Sequence, residues 1–340
     1  MDPLTHGLAS YALKRGFFPR ASRAVTLAML FAGTLADADW LSYYFGPQAF
    51  LRWHSSYFDS LLFAAVPSLL FAALAFLATK LSSNFKFSFA FLGGPLCAAL
   101  LHVFVDACQS SGVSPFWPFR QTRVALDWLP NFDPWILLIL LAAILLPELF
   151  LLVSREIGAR ARRPRGRAGA LAGLAVLLVY AGARATLHSN AISLLQSVPY
   201  QGEWPRRLAA FPDSVSPLSW HAIVETPSAL HLLDVSVSPG AFFNPDGAQN
   251  IHKPEPSAEL AAAQKTEVAQ EFLTFARFPK ATIEKETTEE RTTGYLVELH
   301  DLRFVALGQT LGAIQAEINL DAAGRVTFAE LEWEKQKPTR

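Results

Sequence analysis

Residues 134–153, "PWILLILLAAILLPELFLLV", are twenty apolar positions broken only by Glu148 and two prolines. A stretch of that length and character matches the ~20 residues a helix needs to cross the hydrocarbon core of a bilayer. Backbone polar groups in lipid must be satisfied within the segment, so such a run folds as a helix. Four more segments carry the same signal: residues 24–41, 60–79, 87–107 and 168–187, the last with Arg184 near its end. Residues 4–17 predict a helix too short to span comfortably. The long apolar runs stop near residue 190, and 200–340 have the composition of a soluble chain. The sequence therefore predicts a mainly α protein. Residues 1–190 form a polytopic transmembrane bundle of five spans plus a short N-terminal helix, and 191–340 a small extracytoplasmic α+β domain.

Charged residues make up 17% of the chain and the formal net charge is zero. That balance predicts no nucleic-acid partner. The basic "RARRPRGR" at 160–167 lies between two spans and reads as a cytoplasmic, lipid-facing loop. Cys97 and Cys108 sit in or beside one apolar run and read as small buried hydrophobes, not a disulfide framework. The N-terminus, with Asp2 and His6 where a basic region belongs, does not read as a secretory signal.

Loop charge sets the orientation, because Lys and Arg accumulate on the cytoplasmic side. Lys14, Arg15, Arg20 and Arg23 lie in one loop, Lys80 and Lys86 in a second, and six arginines between 155 and 167 in a third. Placing all three inside puts the N-terminus, 38–59, 108–133 and everything after 188 outside. In the tail, "WHAIVET" and "ALHLLDVSVS" alternate as strands, 257–278 has helical periodicity, and "DAAGR" predicts a hairpin turn.

With that orientation, the ionisable groups of the apolar half fall at one membrane face. These are His6, Asp37, Asp39, His54, Asp59, His102 and Asp106. Ionisable groups at membrane depth are costly to bury and usually functional. His102 and Asp106 are four apart, so a helix presents both on one side. Imidazoles with carboxylates are the donor set of zinc, manganese or iron. The expected metal ligands are His6, Asp39, His54, His102 and Asp106. Asp37 and Asp39 diverge on a regular helix, so one binds and the other supports. Asp37 and Asp59 are expected to orient a metal-bound water or accept its proton, as catalytic groups. Arg52 and Arg120 read as interfacial arginines. Trp40, Tyr43, Tyr44, Trp53, Trp117 and Trp128 read as an aromatic belt. The tail histidines, His188, His221, His231, His252 and His300, lack ligand spacing.

The motifs "MDPLTHGLASYAL", "AGTLADADWL", "HSSYFDSLLF" and "LLHVFVDACQSSGVSPFWPF" occur in the order seen in the YdjM-like family of membrane-bound metal-dependent hydrolases, which residues 1–155 resemble. The family pattern is T-H-G, then P-D-x-D, then H-R-G-x-T-H-S, then H-x3-D with W-P-F. Here it becomes Thr5-His6-Gly7, Asp37 and Asp39, His54 to Ser60, His102 with Asp106, and Trp117-Pro118-Phe119. Ser55 stands in place of the family arginine and Asp59 in place of its second histidine. The family is similar in motif order to zinc-dependent phospholipase C and P1-type nucleases. The resemblance implies a bacterial inner-membrane protein whose divalent ion, zinc or else manganese or iron, serves phosphoester hydrolysis. Its location implies the lipid bilayer as partner and a lipid or lipid-linked phosphoester as substrate. The rival expectation is a non-catalytic membrane scaffold, in which a structural metal braces a bundle that displays the tail as a binding domain.

Overall fold

A computed structural model describes residues 1–54, 57–81, 88–120, 122–156, 165–288, 291–308 and 313–334. Two compact units divide the chain. The first holds Met1–Asp39, His54–His188 and Ser214–Pro217; the second holds Trp40–Trp53, Ser189–Asp213 and Leu218–Arg340. Lys86, Arg160, Arg162 and Arg163 of the basic loops lie outside the described residues.

The first unit is helical. Helix α1 (Pro3–Phe17) starts where Asp2 accepts from Thr5 N at 3.0 Å, with proline in the first turn. An N-cap aspartate followed by Pro is a strong helix start, because proline sacrifices only an N–H that has no helical partner. Helix α2 (Arg23–Thr34) is capped by Ser22. It bends by 46° into a 3-10 helix at Ala36–Phe45. Four further helices follow: α3 (Pro47–Trp53), which belongs to the second unit, then α4 (Leu61–Leu81), α5 (Ala90–Ala107) and α6 (Pro134–Glu156). The last helix of this series, α7 (Arg165–Gln196), runs 32 residues, about 48 Å at 1.5 Å per residue. That exceeds a ~30 Å hydrocarbon core, so the apolar run at 168–187 is only its middle. Among the described residues four helices are long and apolar enough to cross a membrane: α4, α5, α6 and α7. A fifth span is counted if α2 and the bent segment after it are taken together.

Side-chain exposure follows the membrane reading. Leu62, Leu69, Phe76, Leu138, Phe150, Leu178 and Val179 are all exposed large hydrophobics. With lipid as solvent, helix association relies on close packing and internal polar contacts. Gly169 and Gly173 on α7 supply the close packing: a Cβ on either would collide with α6 at Pro147 or Ala143. Asp133 supplies the polar contact. Its Oδ1 caps α6 by accepting from Trp135 N at 2.9 Å and Ile136 N at 3.1 Å, and its Oδ2 accepts from Tyr180 Oη on α7 at 2.8 Å. Arg184, 1% exposed, donates from Nε to Trp128 O at 3.0 Å and from Nη1 to Pro217 O. Replacing Asp133 with alanine removes a helix cap and leaves the half-buried Tyr180 hydroxyl without this partner. The expected loss is about 2–4 kcal/mol of stability, read as a lower unfolding temperature in detergent. Asp133→Asn, which keeps the capping oxygen, should lose less, and equal losses would argue against the cap.

The second unit contains two four-stranded antiparallel sheets, ordered β1-β2-β3-β4 and β5-β6-β7-β8. The first comprises β1 (Arg207–Pro212), β2 (Ser219–Glu225), β3 (Ala229–Ser236) and β4 (Gln249–His252). The second comprises β5 (Pro279–Thr288), β6 (Arg291–Asp301), β7 (Ile314–Asp321) and β8 (Val326–Trp333). The "DAAGR" turn joins β7 to β8, with Gly324 at φ +75°, a conformation glycine adopts without strain. The helical stretch at 257–278 is two helices, α8 (Ala258–Gln264) and α9 (Glu267–Phe275). The break comes from Thr266, which caps α9 by accepting from Ala269 N at 3.2 Å. Strand β6 stops at Asp301, whose buried carboxylate accepts from the N–H groups of Arg277, Phe278 and Arg303 and starts the short α10 (Leu302–Ala306).

A piece of the apolar half belongs to this unit. Phe50 and Leu51 of α3 share a core with Phe272, Phe275, Val297, Ile314 and Ile318. Tyr43 packs on Trp333 at 4.3 Å between ring centroids, and Trp40 on Phe50 at 5.4 Å. Trp40 and Tyr43 therefore have protein partners that the aromatic-belt reading did not include. Arg52 is likewise engaged: its Nε donates to Glu271 Oε1 at 2.9 Å, and Gln48 Nε2 reaches the other oxygen at 3.1 Å. Arg52, read as an interfacial arginine, thus also makes an ion pair within the second unit.

Candidate metal centre

Three chain segments of the first unit bring their ionisable groups to one point. Asp2 and Pro3 fix the start of α1, which puts His6 in its first turns. The bend after α2 carries Asp37. The last turns of α5 carry His102 and Asp106 on one face, with His102 Nε2 3.3 Å from Asp106 Oδ2. His6, Asp37, His102 and Asp106 each offer a ligand atom, and all four atoms lie within 4.8 Å of one another. His6 Nε2 is 3.1 Å from Asp106 Oδ1 and 4.0 Å from Asp37 Oδ1. The two imidazole rings stack, centroids 3.8 Å apart.

Helix packing makes this convergence possible. Gly33 of α2 lets α1 and α5 approach together, since a Cβ there would overlap Ser10 and crowd Ala98. The same residue orients a ligand: His102 Nδ1 lies 2.9 Å from Gly33 O. A backbone carbonyl accepts only from an N–H, so Nδ1 carries the proton and Nε2 presents its lone pair to the cluster. Asp106 is held as well, since Gln109 Nε2 donates to its Oδ1 at 3.0 Å and the Met1 amine contacts the same oxygen.

The donor set suits a divalent cation. Two imidazoles and two carboxylates are hard-to-borderline ligands of the kind zinc, manganese and iron accept. Several of these atoms are buried with no hydrogen bond, namely Asp37 Oδ2, His102 Nε2 and Asp59 Oδ1. Buried polar groups are normally paired, so unpaired oxygens and a lone-pair nitrogen facing one another mark a place for a cation.

Asp59 stands just before α4, with Oδ1 3.3 Å from His102 Nε2 and its side chain 4% exposed. Burial raises its carboxyl above the ordinary carboxylate range, against the lowering effect of His102. Asp39 and His54 meet each other instead, His54 Nδ1 lying 2.9 Å from Asp39 Oδ2. They stand where the chain leaves the first unit after Asp39 and returns at His54. Their contact closes the ends of the 40–53 excursion.

Each residue expected from the sequence thus has a place. His6, His102 and Asp106 lie in the four-residue group as expected ligands. Asp37, expected in a water-orienting role, lies in the same group. Asp39 and His54, expected as ligands, form a separate pair, and Asp59 touches His102. Asp37 and Asp39 diverge as helical spacing predicts. Sequence reasoning missed Gly33 and Gln109, since a carbonyl acceptor carries no residue-type signal and Gln109 is one polar residue among several after α5. Cys108, at the end of α5, is buried, and burial pushes its thiol up to about 12, as expected of an inert hydrophobe. Cys97, expected to be buried as well, is instead exposed on α5.

No curated protein and no solved structure matches the chain. A family model, described as YdjM inner membrane protein, matches residues 1–191. That match takes in every residue of the His/Asp cluster and the apolar helices as far as residue 191 of α7, while both sheets fall beyond it. With more than half its length under the match, the chain belongs to the YdjM inner membrane protein family.

Proposed function

We propose that this protein is a membrane-bound, metal-dependent hydrolase that cleaves a phosphoester. The observation that carries the reading is the group of His6, Asp37, His102 and Asp106, the imidazoles buried and the carboxylates half-buried, with ligand atoms within 4.8 Å of one another. His6 Nε2, His102 Nε2 and carboxylate oxygens of Asp37 and Asp106 would hold a divalent ion, zinc first and manganese or iron next. Such an ion, when bound, brings the pKa of its water from 15.7 to about 7 and polarises a phosphoryl oxygen. Gly33 O fixes the His102 tautomer, and Gln109 holds Asp106 in place. Asp59 Oδ1, buried against His102, takes the proton from the attacking water.

The test is removal and return of the metal. Chelation of the detergent-purified protein should abolish hydrolysis of bis(4-nitrophenyl) phosphate, and one of zinc, manganese or iron should restore it. Protein that stays metal-free after supplementation, or hydrolysis indifferent to chelation, would overturn the reading.

The proposed orientation puts the cluster and the two-sheet unit on the extracytoplasmic side, supported by the basic loops alone. An impermeant amine reagent applied to intact cells should then spare Lys80 and label Lys253 and Lys280. Labelling of Lys80 would reverse the orientation.

A further inference from the structure

Beside the cluster lies a cavity of about 320 Å³ lined by α1, α5, α6 and α7. Its walls are apolar: Phe17, Phe104, Leu140, Leu171, Leu174 and Leu178 contribute. Polar groups enter at one end, where Met1, Thr5 and His6 line it. His6 is the residue whose Nε2 meets Asp106 at 3.1 Å and whose ring stacks on His102. The hydrocarbon space therefore ends at the proposed metal group.

The dimensions select an occupant. His6 and Phe17, both lining the cavity, are eleven residues apart on α1, or about 16 Å at 1.5 Å per residue. At ~30 Å³ per water-sized group, the volume holds roughly ten methylenes. Phe17, Phe104 and Leu178 are 61%, 50% and 69% exposed, so the wall they form is open toward the side where lipid lies. A polar substrate would leave these walls bare, whereas a single alkyl chain covers them.

We propose that the cavity seats one hydrocarbon chain of a lipid phosphoester, with its phosphate at His6 and its tail toward Phe17. The inference rests on the hydrolase reading above and names the substrate class for the same site. In the reaction, the oxygen of water bonds to phosphorus, the phosphorus–oxygen bond to the leaving group breaks with its electron pair, and the water's proton passes to Asp59, which returns it to the departing oxygen. The products are an alkyl phosphate and the released alcohol or phenol.

Methyl and dodecyl 4-nitrophenyl phosphate share the bond to be broken and differ only in the chain, so their rate ratio isolates the tail. Ala175 lines the cavity from α7 and is exposed, and Val179 is exposed on the same helix but does not line it. Ala175→Trp should lower the dodecyl-to-methyl ratio of kcat/KM about tenfold, the loss expected when two methylenes are displaced. Val179→Trp should leave the ratio within about twofold, since most exposed substitutions change little. An unchanged ratio in Ala175→Trp, with methyl ester hydrolysis intact, overturns the tail seat and leaves the hydrolase reading standing. If the metal-loaded protein hydrolyses neither ester, the hydrolase reading fails, and binding decides the seat alone. A dodecyl phosphate with a terminal diazirine should crosslink to residues of α5 and α7 that line the cavity, in competition with plain dodecyl phosphate. Labelling spread evenly over the lipid-facing helices overturns the seat.

Discussion

Replacement of His102 by alanine is expected to strip the protein of its divalent ion and to lower phosphodiester hydrolysis by at least about 100-fold, the upper range seen when mere supporting groups of a metal site are lost. Two features of His102 make this the largest effect. Its Nε2 faces both Asp106 Oδ2 and Asp59 Oδ1 at 3.3 Å. Its Nδ1 is tied to Gly33 O at 2.9 Å, so the ring is aimed before any ligand arrives. The measurement is metal content by elemental analysis together with hydrolysis rate. Retention of a full equivalent of metal with undiminished turnover would place the ion elsewhere. Retention of fold, checked by unfolding temperature, separates loss of ligand from loss of structure.

Asp59→Asn should divide binding from chemistry. The amide keeps the shape of the side chain but cannot take a proton at neutral pH. Metal content should remain near one equivalent, while hydrolysis falls by about 10²–10⁴, the range for removal of a positioned general base. The rate should also lose its dependence on pH across the acid limb, because the group that must be deprotonated is gone. Loss of metal together with loss of rate would instead make Asp59 a ligand. Asp59→His, the residue the family pattern has here, would then restore the metal; if Asp59 is the base, it restores neither rate nor acid limb in full.

The membrane half was legible in the sequence because its signal is local. An apolar run of ~20 residues has one stable form in lipid, so residues 60–79, 87–107 and 134–153 foretold α4, α5 and α6 closely. Spacing of four likewise put His102 and Asp106 on one face. The tail was less legible. Short strands and capped helices depend on single residues such as Thr266 and Asp301, whose side chains compete with the regular pattern by hydrogen-bonding the backbone. The stretch at 40–53 was the least legible. Its aromatics suit a membrane interface and a protein core equally, and only packing with Phe272, Val297 and Trp333 distinguishes them.

The amino-acid sequence by itself determined that the chain enters a membrane, that its first half is helical, and that imidazoles and carboxylates sit near span ends. These follow from composition and from periods of a few residues. Only the tertiary structure decided which of those groups meet. Asp37 rather than Asp39 turns toward His6, because the chain bends by 46° after α2 and the two carboxylates leave the bend in different directions. His102 points its Nε2 at the cluster because a glycine carbonyl 69 positions away holds its other nitrogen. Residue identity specifies what a side chain can donate or accept, and the packing of distant helices sets what it faces.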